Sequence, residues 1–455
     1  VEGSGQKMGD KILLNIQLID GRSDKHLWSK QYRSESKDIF ELQQEIAKNI
    51  TDEIRAIVTP EEQLQIEKIP TENLEAYDLF LKGQDLLNQG GHANLENAVS
   101  YFKKAIEHDK EFALAYADAA IAYFYLDMFQ KEKKHTEQIG SYADKALLFD
   151  AKLPESLSAK AVFYLHKKEY EQALPYLEKA LEYNPNDVTI IHFLSDFYTN
   201  FIPNTTKYLE YALMGAKLDI GARDSISMSY TYLHLGNALM QTGFIDEALK
   251  FIDKSSAFYP QNPYSTYVKA WILLARDRDF NHTRNLLIAE LNKDTTRIDI
   301  LQDVAKIHYL MKDYDSAWHY YKKFIELREA LQLDVYKHES LRIALVMDKV
   351  GMKEKSGEYV KIFKEYADND RSIYKHASLA SYYAYQGDVE KSIEHLKLFS
   401  KEDNVQYWIL FMSVDPGIDP IKNHPEFKKT MTAIETRFWD THRESRAVLE
   451  EQGLL

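Results

Sequence analysis

The stretch from Leu157 to Pro185, LSAKAVFYLHKKEYEQALPYLEKALEYNP, decides the fold of this chain. Small residues stand twelve positions apart at Ala161 and Ala173, with larger apolar and aromatic residues around them. This spacing predicts two antiparallel helices that cross at the small residues, because small side chains let helix backbones approach closely. Pro185 ends the second helix, since proline cannot continue one.

The same step between small residues recurs at Gly236 and Ala248, and again in two partial units that begin at Ala305 and Ala380. A period of about 34 residues of helix-turn-helix resembles the tetratricopeptide repeat (TPR), and its recurrence makes the repeat prediction much stronger than any single match. The gaps are filled by five weaker units, which lie over 76–109, 116–149, 191–219, 264–291 and 341–366. With them the total is roughly nine helical hairpins.

The predicted fold class is mainly α, a TPR-type α-solenoid superhelix with a small N-terminal α/β segment made of a hairpin plus a helix. We predict three parts: the α/β segment at 1–70, the repeats at 71–402, and an irregular C-terminal cap with a last helix at 403–455. Stacked repeats bury one continuous core and curve around an inner groove that the first helix of each pair lines. A ligand or partner is expected in that groove.

The N-terminal segment reads as a strand over 11–20, a turn at Asp20-Gly21 and a returning strand over 26–32. A helix is predicted from Asp38 to Ile57, ended by Thr59-Pro60. Two strands and one helix cannot bury a stable core alone, so either more strands lie upstream or the hairpin packs on the solenoid.

A flexible turn is predicted at Gly3-Ser4-Gly5. These glycines, with Gly9, come close to a dinucleotide-binding fingerprint, but they precede a strand and open no helix.

Short motifs at both ends of the chain carry a resemblance to one family. They are Glu2-Gly3-Ser4, 17–20, 26–29, 38–40, Gln43, Ile46-Ala47, 73–77, Asp415-Pro416, Asp419-Pro420, 424–427, Phe438-Trp439 and 449–455. The N-terminal motifs look like the end of a TolB-like domain that runs into TPR repeats in bacterial multidomain regulators, and the C-terminal motifs are similar to the ending of the AraC-type members. The resemblance implies an upstream helix-turn-helix (AraC-type or OmpR-type) or adenylate cyclase domain, often beyond one membrane helix, and it supplies no catalytic residue.

Composition excludes several classes of function. With a formal charge of −14, the chain as a whole does not supply the positive charge that neutralises phosphates, so we expect no direct nucleic acid binding by this chain. The absence of cysteine excludes thiolate zinc sites, disulfides and cysteine nucleophiles. No apolar run approaches the roughly 18 residues of a membrane helix. His338-Glu339 lacks the second histidine of a zincin helix. We predict no enzyme, no catalytic residue, no cofactor and no metal site.

The candidate binding site is the inner groove of the middle repeats. Aromatic rings there can cover apolar groups or stack on sugars, and the polar groups can supply hydrogen bonds. Asn237 stands where TPR domains that clamp a peptide carboxylate carry an Asn, but Leu233 replaces the expected Lys, so a structural polar residue is the alternative. The candidates are His192, Asp196, Tyr230, Asn237, Tyr264, Tyr267, Gln302, Lys306 and Tyr309.

Taken with the resemblance, these features predict the sensory and protein-interaction region of a bacterial transcriptional regulator, which binds a protein or a small ligand in the groove. A scaffold protein without a small ligand is the alternative, and an enzyme with a site between repeats is the least favoured. An upstream membrane tether would place this region in the periplasm, and without one it would be cytoplasmic. A homodimer also stays open.

Overall fold

Helices dominate the structure, and the strands lie within the first 35 residues, as predicted. The computed structural model describes residues 1–20, 25–35, 38–54, 63, 68–218, 225–451 and 453. The predicted turn residue Gly21 and the predicted helix end at Ile57 to Pro60 lie outside the described residues. Within them, the mainly α prediction with a small N-terminal α/β segment is confirmed.

The N-terminal sheet has three antiparallel strands rather than the predicted two. Its order is β1-β2-β3, with the long central strand paired on both sides. The strands are β1 (Glu2–Met8), β2 (Lys11–Asp20) and β3 (Lys25–Glu35).

The prediction of a flexible turn at Gly3-Ser4-Gly5 is wrong, because these residues form part of β1. A Cβ atom on Gly3 would lie 2.9 Å from Cδ1 of Ile16, and one on Gly5 would lie 2.7 Å from Cδ2 of Leu14. The two glycines therefore leave room for side chains of β2 to lie over the edge strand. The turn comes later, at Gly9, whose φ is +61°.

A helix connects the sheet to the repeats. α1 (Ile39–Ile54) packs on β3, where Asn49 Nδ2 donates to the Tyr32 hydroxyl at 3.1 Å. At its other end, the Phe40 ring meets Tyr77 of the first repeat edge-on, with centroids 4.9 Å apart. This contact with the first repeat is made by α1 and not by the strands, so it does not decide between the two expected ways of covering the sheet.

Between Leu74 and Phe399 the described residues form nine consecutive helix pairs. In each pair we call the first helix A and the second B. The pairs are α2 (Leu74–Gln89) and α3 (His92–His108), α4 (Ala113–Asp127) and α5 (Thr136–Phe149), α6 (Pro154–His166) and α7 (Tyr170–Tyr183), α8 (Val188–Asn200) and α9 (Thr205–Lys217), α10 (Ser225–Gln241) and α11 (Ile245–Phe258), α12 (Ser265–Asp277) and α13 (Phe280–Leu291), α14 (Ile298–Leu310) and α15 (Tyr314–Ala330), α16 (Ser340–Lys349) and α17 (Lys353–Asn369), and α18 (Lys375–Gln386) and α19 (Val389–Phe399).

Small residues occupy the buried crossings of these pairs, as the spacing predicts. Ala161, Ala305 and Ala380 are fully buried. Gly236 is buried as well, and a Cβ atom there would lie 3.2 Å from the backbone nitrogen of Ile252. The approach is close because α10 and α11 meet backbone to backbone at this point.

The chain divides into two compact units, each with its own apolar core. The first unit is Val1–Ile190 with Leu218–Arg223, and the second is Ile191–Lys217 with Asp224–Leu455. The core of the first unit is rich in alanine and aromatic residues of α2 to α6, whereas that of the second extends from α12 to the C-terminal residues.

After the last pair, the chain turns back within the second unit. Residues 403–451, which we call the C-terminal strap, form two short 3-10 stretches (Tyr407–Val414 and Pro416–Ile421) and then α20 (Pro425–Glu451). Near its start α20 pairs with α19 through Glu426 and Lys397 at 2.9 Å. Further along, His442 Nδ1 lies 2.9 Å from the carbonyl oxygen of Thr242, in the turn between α10 and α11. The strap therefore spans several repeats in addition to the last one.

Candidate functional site

The candidate residues lie on the A helices of the second unit. His192 and Asp196 belong to α8, Tyr264 directly precedes α12, and the others belong to α10, α12 and α14. We call the surface that α8 (from Ile191), α10, α12, α14 and α16 present together the A-helix face. The structure brings the nine candidates into three groups on it, with different chemistry.

Two neighbouring tyrosines lie on this face, one of them half-buried (Tyr230) and the other exposed (Tyr264). The rings of Tyr230 and Tyr264 are 6.4 Å apart, and Tyr264 is 42% exposed. The Arg297 guanidinium lies 5.1 Å from the centre of the Tyr264 ring, within the range of a cation–π contact. Arg297 is itself held by a two-point ion pair with Asp299, at 2.8 and 2.6 Å. The exposed Tyr264 ring is thus held against a guanidinium group that is itself fixed in place.

Asp303 organises the next group, although the sequence did not single it out. Its carboxylate is only 2% exposed and accepts from the Tyr267 hydroxyl at 2.6 Å and from the Trp271 indole nitrogen at 2.9 Å. Lys306 Nζ lies 2.6 Å from the same carboxylate, and the Gln302 amide also donates to it. Burial, then the adjacent Asp303, raises the pKa of Tyr267 well above its ordinary value.

A chain of alternating charges continues from Lys306. Lys306 Nζ is 3.7 Å from Glu339, which is fully buried and receives a hydrogen bond from Arg342 at 2.6 Å. Burial alone would raise the pKa of Glu339, but the positive charges of Arg342 and Lys306 outweigh that effect and lower it to about 2. Glu339 is therefore a structural anion between two cations.

The series of alternating charges ends at Asp415 of the strap, and the strap buries one candidate residue, Tyr309. Tyr309 donates to Asp415 at 2.5 Å, accepts from the Gly417 backbone at 2.8 Å, and is 1% exposed. Gln302, at 3%, is also buried. Both lie on the predicted helix face, but the strap covers Tyr309 and the Asp303 group encloses Gln302, so neither offers a surface to a ligand.

The third group lies where α8 meets α10. His192 Nε2 is 3.1 Å from the Thr231 hydroxyl, and its ring packs 4.8 Å from that of His234, whose pKa burial lowers to about 4. Asn237 donates to the Tyr208 hydroxyl at 3.1 Å and accepts from Gln241 at 3.4 Å. Both ends of the Asn237 amide are engaged within the chain, which favours the structural alternative over a carboxylate clamp.

Asp196 differs from every other charged candidate on this face. Asp196 is an exposed residue, yet the protein atoms around its carboxyl group raise the pKa of that group to about 6. Within the described part of the chain, no hydrogen bond or ion pair reaches this carboxylate. It also raises the pKa of Tyr208, after burial, which places it beside α9.

Sequence reasoning missed Trp271, Arg297, Asp303, Glu339 and Arg342. One signal was available, because Gln302-Asp303 interrupts the apolar run Ile300-Leu301 and Val304-Ala305 of a core helix. A polar pair inside such a run indicates a buried hydrogen-bond network.

The first unit has a separate cavity of about 810 Å³ beside the turns that lead into α2, α4 and α6. It is lined by several carboxylates, among them Asp109, Asp150 and Glu155. Lys68 pairs with Asp150, and the Thr71 hydroxyl donates to Asp109 at 2.5 Å. Two of the carboxylates of this cavity, Asp109 and Asp150, are therefore already engaged by partners within the protein.

Among the residues that the structure describes, no group of three or more histidine, aspartate or glutamate side chains is placed to hold a metal ion. None of the helices described has the length and apolar character of a membrane span.

Comparison with known proteins identifies one of the repeats. Residues 154–187, the hairpin of α6 and α7, match the model of the family "Tetratricopeptide repeat". Over 121 residues the chain is 30% identical to "Putative adenylate cyclase 3" of Rhizobium meliloti (strain 1021). That match covers 27% of this chain and 21% of the relative, so the chain spans about a fifth of that protein's length.

Solved structures with a related fold are distant. YrrB, described as a TPR protein with an unusual peptide-binding site, is 19% identical, covering 44% of this chain and 95% of its own at a TM-score of 0.32. The human IFIT1 dimer with m7Gppp-AAAA is 15% identical, covering 81% and 77% at a TM-score of 0.44. Such scores carry no argument beyond the helix pairs themselves. The helix pairs, their buried small crossings and the matched repeat identify the chain as a TPR-type helical solenoid, a protein-interaction fold.

Proposed function

We propose that the A-helix face of the second unit binds an extended segment of a partner protein, with Tyr230 and Tyr264 as principal contacts. The observation that carries this proposal is the pair of neighbouring rings, 6.4 Å apart, in which Tyr230 is half-buried and the exposed Tyr264 is contacted by Arg297. Aromatic side chains that are held in place supply contact area at a low entropic cost, which is why they dominate binding surfaces.

The placement of the rings favours an extended ligand. Tyr230 belongs to α10, and Tyr264 precedes the first residue of α12, so the rings lie on successive helix pairs. A ligand that touches both must cross from one repeat to the next. Most other charges on the face are paired within the chain, so apolar contact supplies most of the affinity.

A random-peptide display library, selected against the intact chain, tests this proposal. Selected peptides should bind Tyr264→Ala and Tyr230→Ala at least tenfold more weakly, while both variants keep their thermal stability. Tyr125→Ala is the matched control, because Tyr125 is a 48% exposed tyrosine of the first unit. Peptides that bind both variants as tightly as the parent chain would contradict the proposal.

We further propose that this binding region serves a larger bacterial signalling protein. The resemblance of both ends to TolB-like and AraC-type regulators supports a sensory region with an upstream helix-turn-helix and a membrane helix, the repeats facing the periplasm. The relative named as an adenylate cyclase supports a cyclase module in the same position. In either arrangement the repeats are the non-enzymatic part.

The coding sequence upstream of Val1 distinguishes these arrangements. A helix-turn-helix followed by a membrane helix is expected for the regulator, and a nucleotide cyclase domain for the second arrangement. A lipoprotein signal directly before the repeats would contradict both and favour a scaffold protein.

A further inference from the structure

One carboxylate on the A-helix face has no counter-charge among the residues that the structure describes. Three other anions there are each paired with a cation: Asp299 with Arg297, Asp303 with Lys306, and Glu339 with Arg342. Asp196 is exposed and has no hydrogen bond or ion pair with any residue that the structure describes. An exposed carboxylate that has no partner within the chain is available to a cation that a ligand brings, and such charge-assisted pairs are strong.

The position of Asp196 relates it to the tyrosine pair. It lies four residues after His192 on α8, so both side chains are on one side of that helix. His192 contacts Thr231 of α10, the residue that follows Tyr230. Asp196 also lies near Tyr208, which is hydrogen-bonded to Asn237 further along α10. Asp196 therefore borders the helix that carries the first of the two tyrosines.

We propose that the partner segment carries a lysine or arginine that forms an ion pair with Asp196 while its apolar side chains cover Tyr230 and Tyr264. This inference rests on the proposed function and names the chemistry of the partner. Tyr230 and Asn237 are seven residues apart on α10, which is about 10 Å along a helix axis. An extended segment covers that distance in roughly three residues, which sets the expected spacing between the cation and the apolar side chain.

Charge favours a peptide cation over a metal ion. A hard divalent cation needs several oxygen ligands, and Asp196 belongs to no group of three possible ligands among the described residues. A single ammonium or guanidinium group is satisfied by one carboxylate. The chain's net charge of −14 also draws basic partners toward it.

The test uses the peptides selected by display against the intact chain. They should share a lysine or arginine near an apolar residue, and changing that residue to glutamine should weaken binding to the parent chain at least tenfold. Against Asp196→Asn, the parent and glutamine peptides should bind within twofold of each other. Asp246→Asn, on α11, is the control and should bind both peptides as the parent chain does.

The outcomes separate the two proposals. Peptides that depend on Tyr264, but whose binding is unchanged by Asp196→Asn, would overturn the inference and leave the proposed function standing. A screen that yields no peptide whose binding depends on Tyr264 would contradict both the proposed function and this inference.

Discussion

The Arg342 guanidinium joins two carboxylates that lie 76 residues apart in sequence. It donates to Glu339 at 2.6 Å, within the same helical turn, and lies 3.2 Å from Asp415 of the C-terminal strap. Asp415 also accepts from Tyr309 of α14. One ionic group thus fastens the strap to two A helices, and the stability of the second unit should depend on it.

Replacing Asp415 with alanine should destabilise the second unit by about 1–3 kcal/mol, the usual penalty for leaving buried donors unsatisfied. Tyr309 would lose its acceptor, and Arg342 would lose one of its two carboxylates. Tryptophan fluorescence in a denaturant titration measures the loss, because Trp271, Trp318, Trp408 and Trp439 all lie in this unit.

Asp419 provides the control for that experiment. It belongs to the same strap and pairs with Lys312 at 2.8 Å, but both side chains are about half exposed. Asp419→Ala should change stability by no more than about 1 kcal/mol, as for exposed ion pairs generally. Equal effects of the two substitutions would mean that the Asp415 group does not anchor the strap.

The crossing of α10 and α11 should not tolerate a larger residue at Gly236. Leucine there would push against the backbone at Ile252, 3.2 Å from the position of its Cβ atom, and should cost about 1–3 kcal/mol. Gly357 of α17 is a matched control, because a Cβ atom at that helical glycine meets nothing within 4 Å. Gly357→Leu should keep or raise the melting temperature, and a similar loss in both variants would contradict the packing argument.

The repeats could be predicted from sequence because packing imposes them locally. Small residues such as Ala161 and Gly236 recur at a fixed step, since two helices meet at each of them. Gly3 and Gly5 were misread because the sequence does not show which side chains lie over an edge strand. The Gly-Ser-Gly pattern is as compatible with a turn as with an edge strand that neighbouring side chains cover.

The path of the strap could not be predicted in this way. Its contacts join residues that are far apart, such as Tyr309 with Asp415, and no period relates their positions. The helical register predicts that Tyr309 faces the groove, but the strap decides whether its side chain is accessible. The same limit applies to Asp303, whose partners come from α12 and α14 together.

Acid should weaken the second unit through Glu339. Its pKa is lowered to about 2 in the folded chain, from an ordinary value of 4.5. The stabilisation is therefore complete above about pH 4.5 and is lost as the pH falls toward 2. Glu339→Gln should be less stable at pH 7, by up to about 3–5 kcal/mol for a broken buried pair, and less sensitive to acid.

Fluorescence-monitored unfolding at pH 7, 4.5 and 3 measures this dependence. Glu326→Gln is the control, because Glu326 and its partner Lys322 are both largely exposed, 3.9 Å apart. That variant should follow the parent chain at each pH. A Glu339→Gln variant that loses stability with acid as steeply as the parent would show that another group governs the acid response.

A rise in pH from about 4 to 8 should weaken the first unit through Asp118, whereas Glu339 weakens the second unit as the pH falls. Burial, together with the nearby negative charge of Glu155, raises the pKa of Asp118 from 3.8 to about 8. The folded chain therefore holds a proton that the unfolded chain releases above about pH 4, so stability falls as the pH rises from 4 to 8. Asparagine has nearly the same shape and carries no charge. Asp118→Asn should raise the melting temperature, and by more at pH 8 than at pH 5.

Differential scanning calorimetry at both pH values gives the comparison, with the exposed Asp85 of α2 as the control position. Asp85→Asn should shift the melting temperature by a similar small amount at pH 5 and pH 8, because its carboxylate lies at the surface. The difference between Asp118→Asn and the parent chain should instead widen with pH, since each unit of pH imposes about 1.4 kcal/mol on a group that must stay protonated. A constant difference across this range would mean that Asp118 is ionised in the folded chain and that its burial is compensated by a cation.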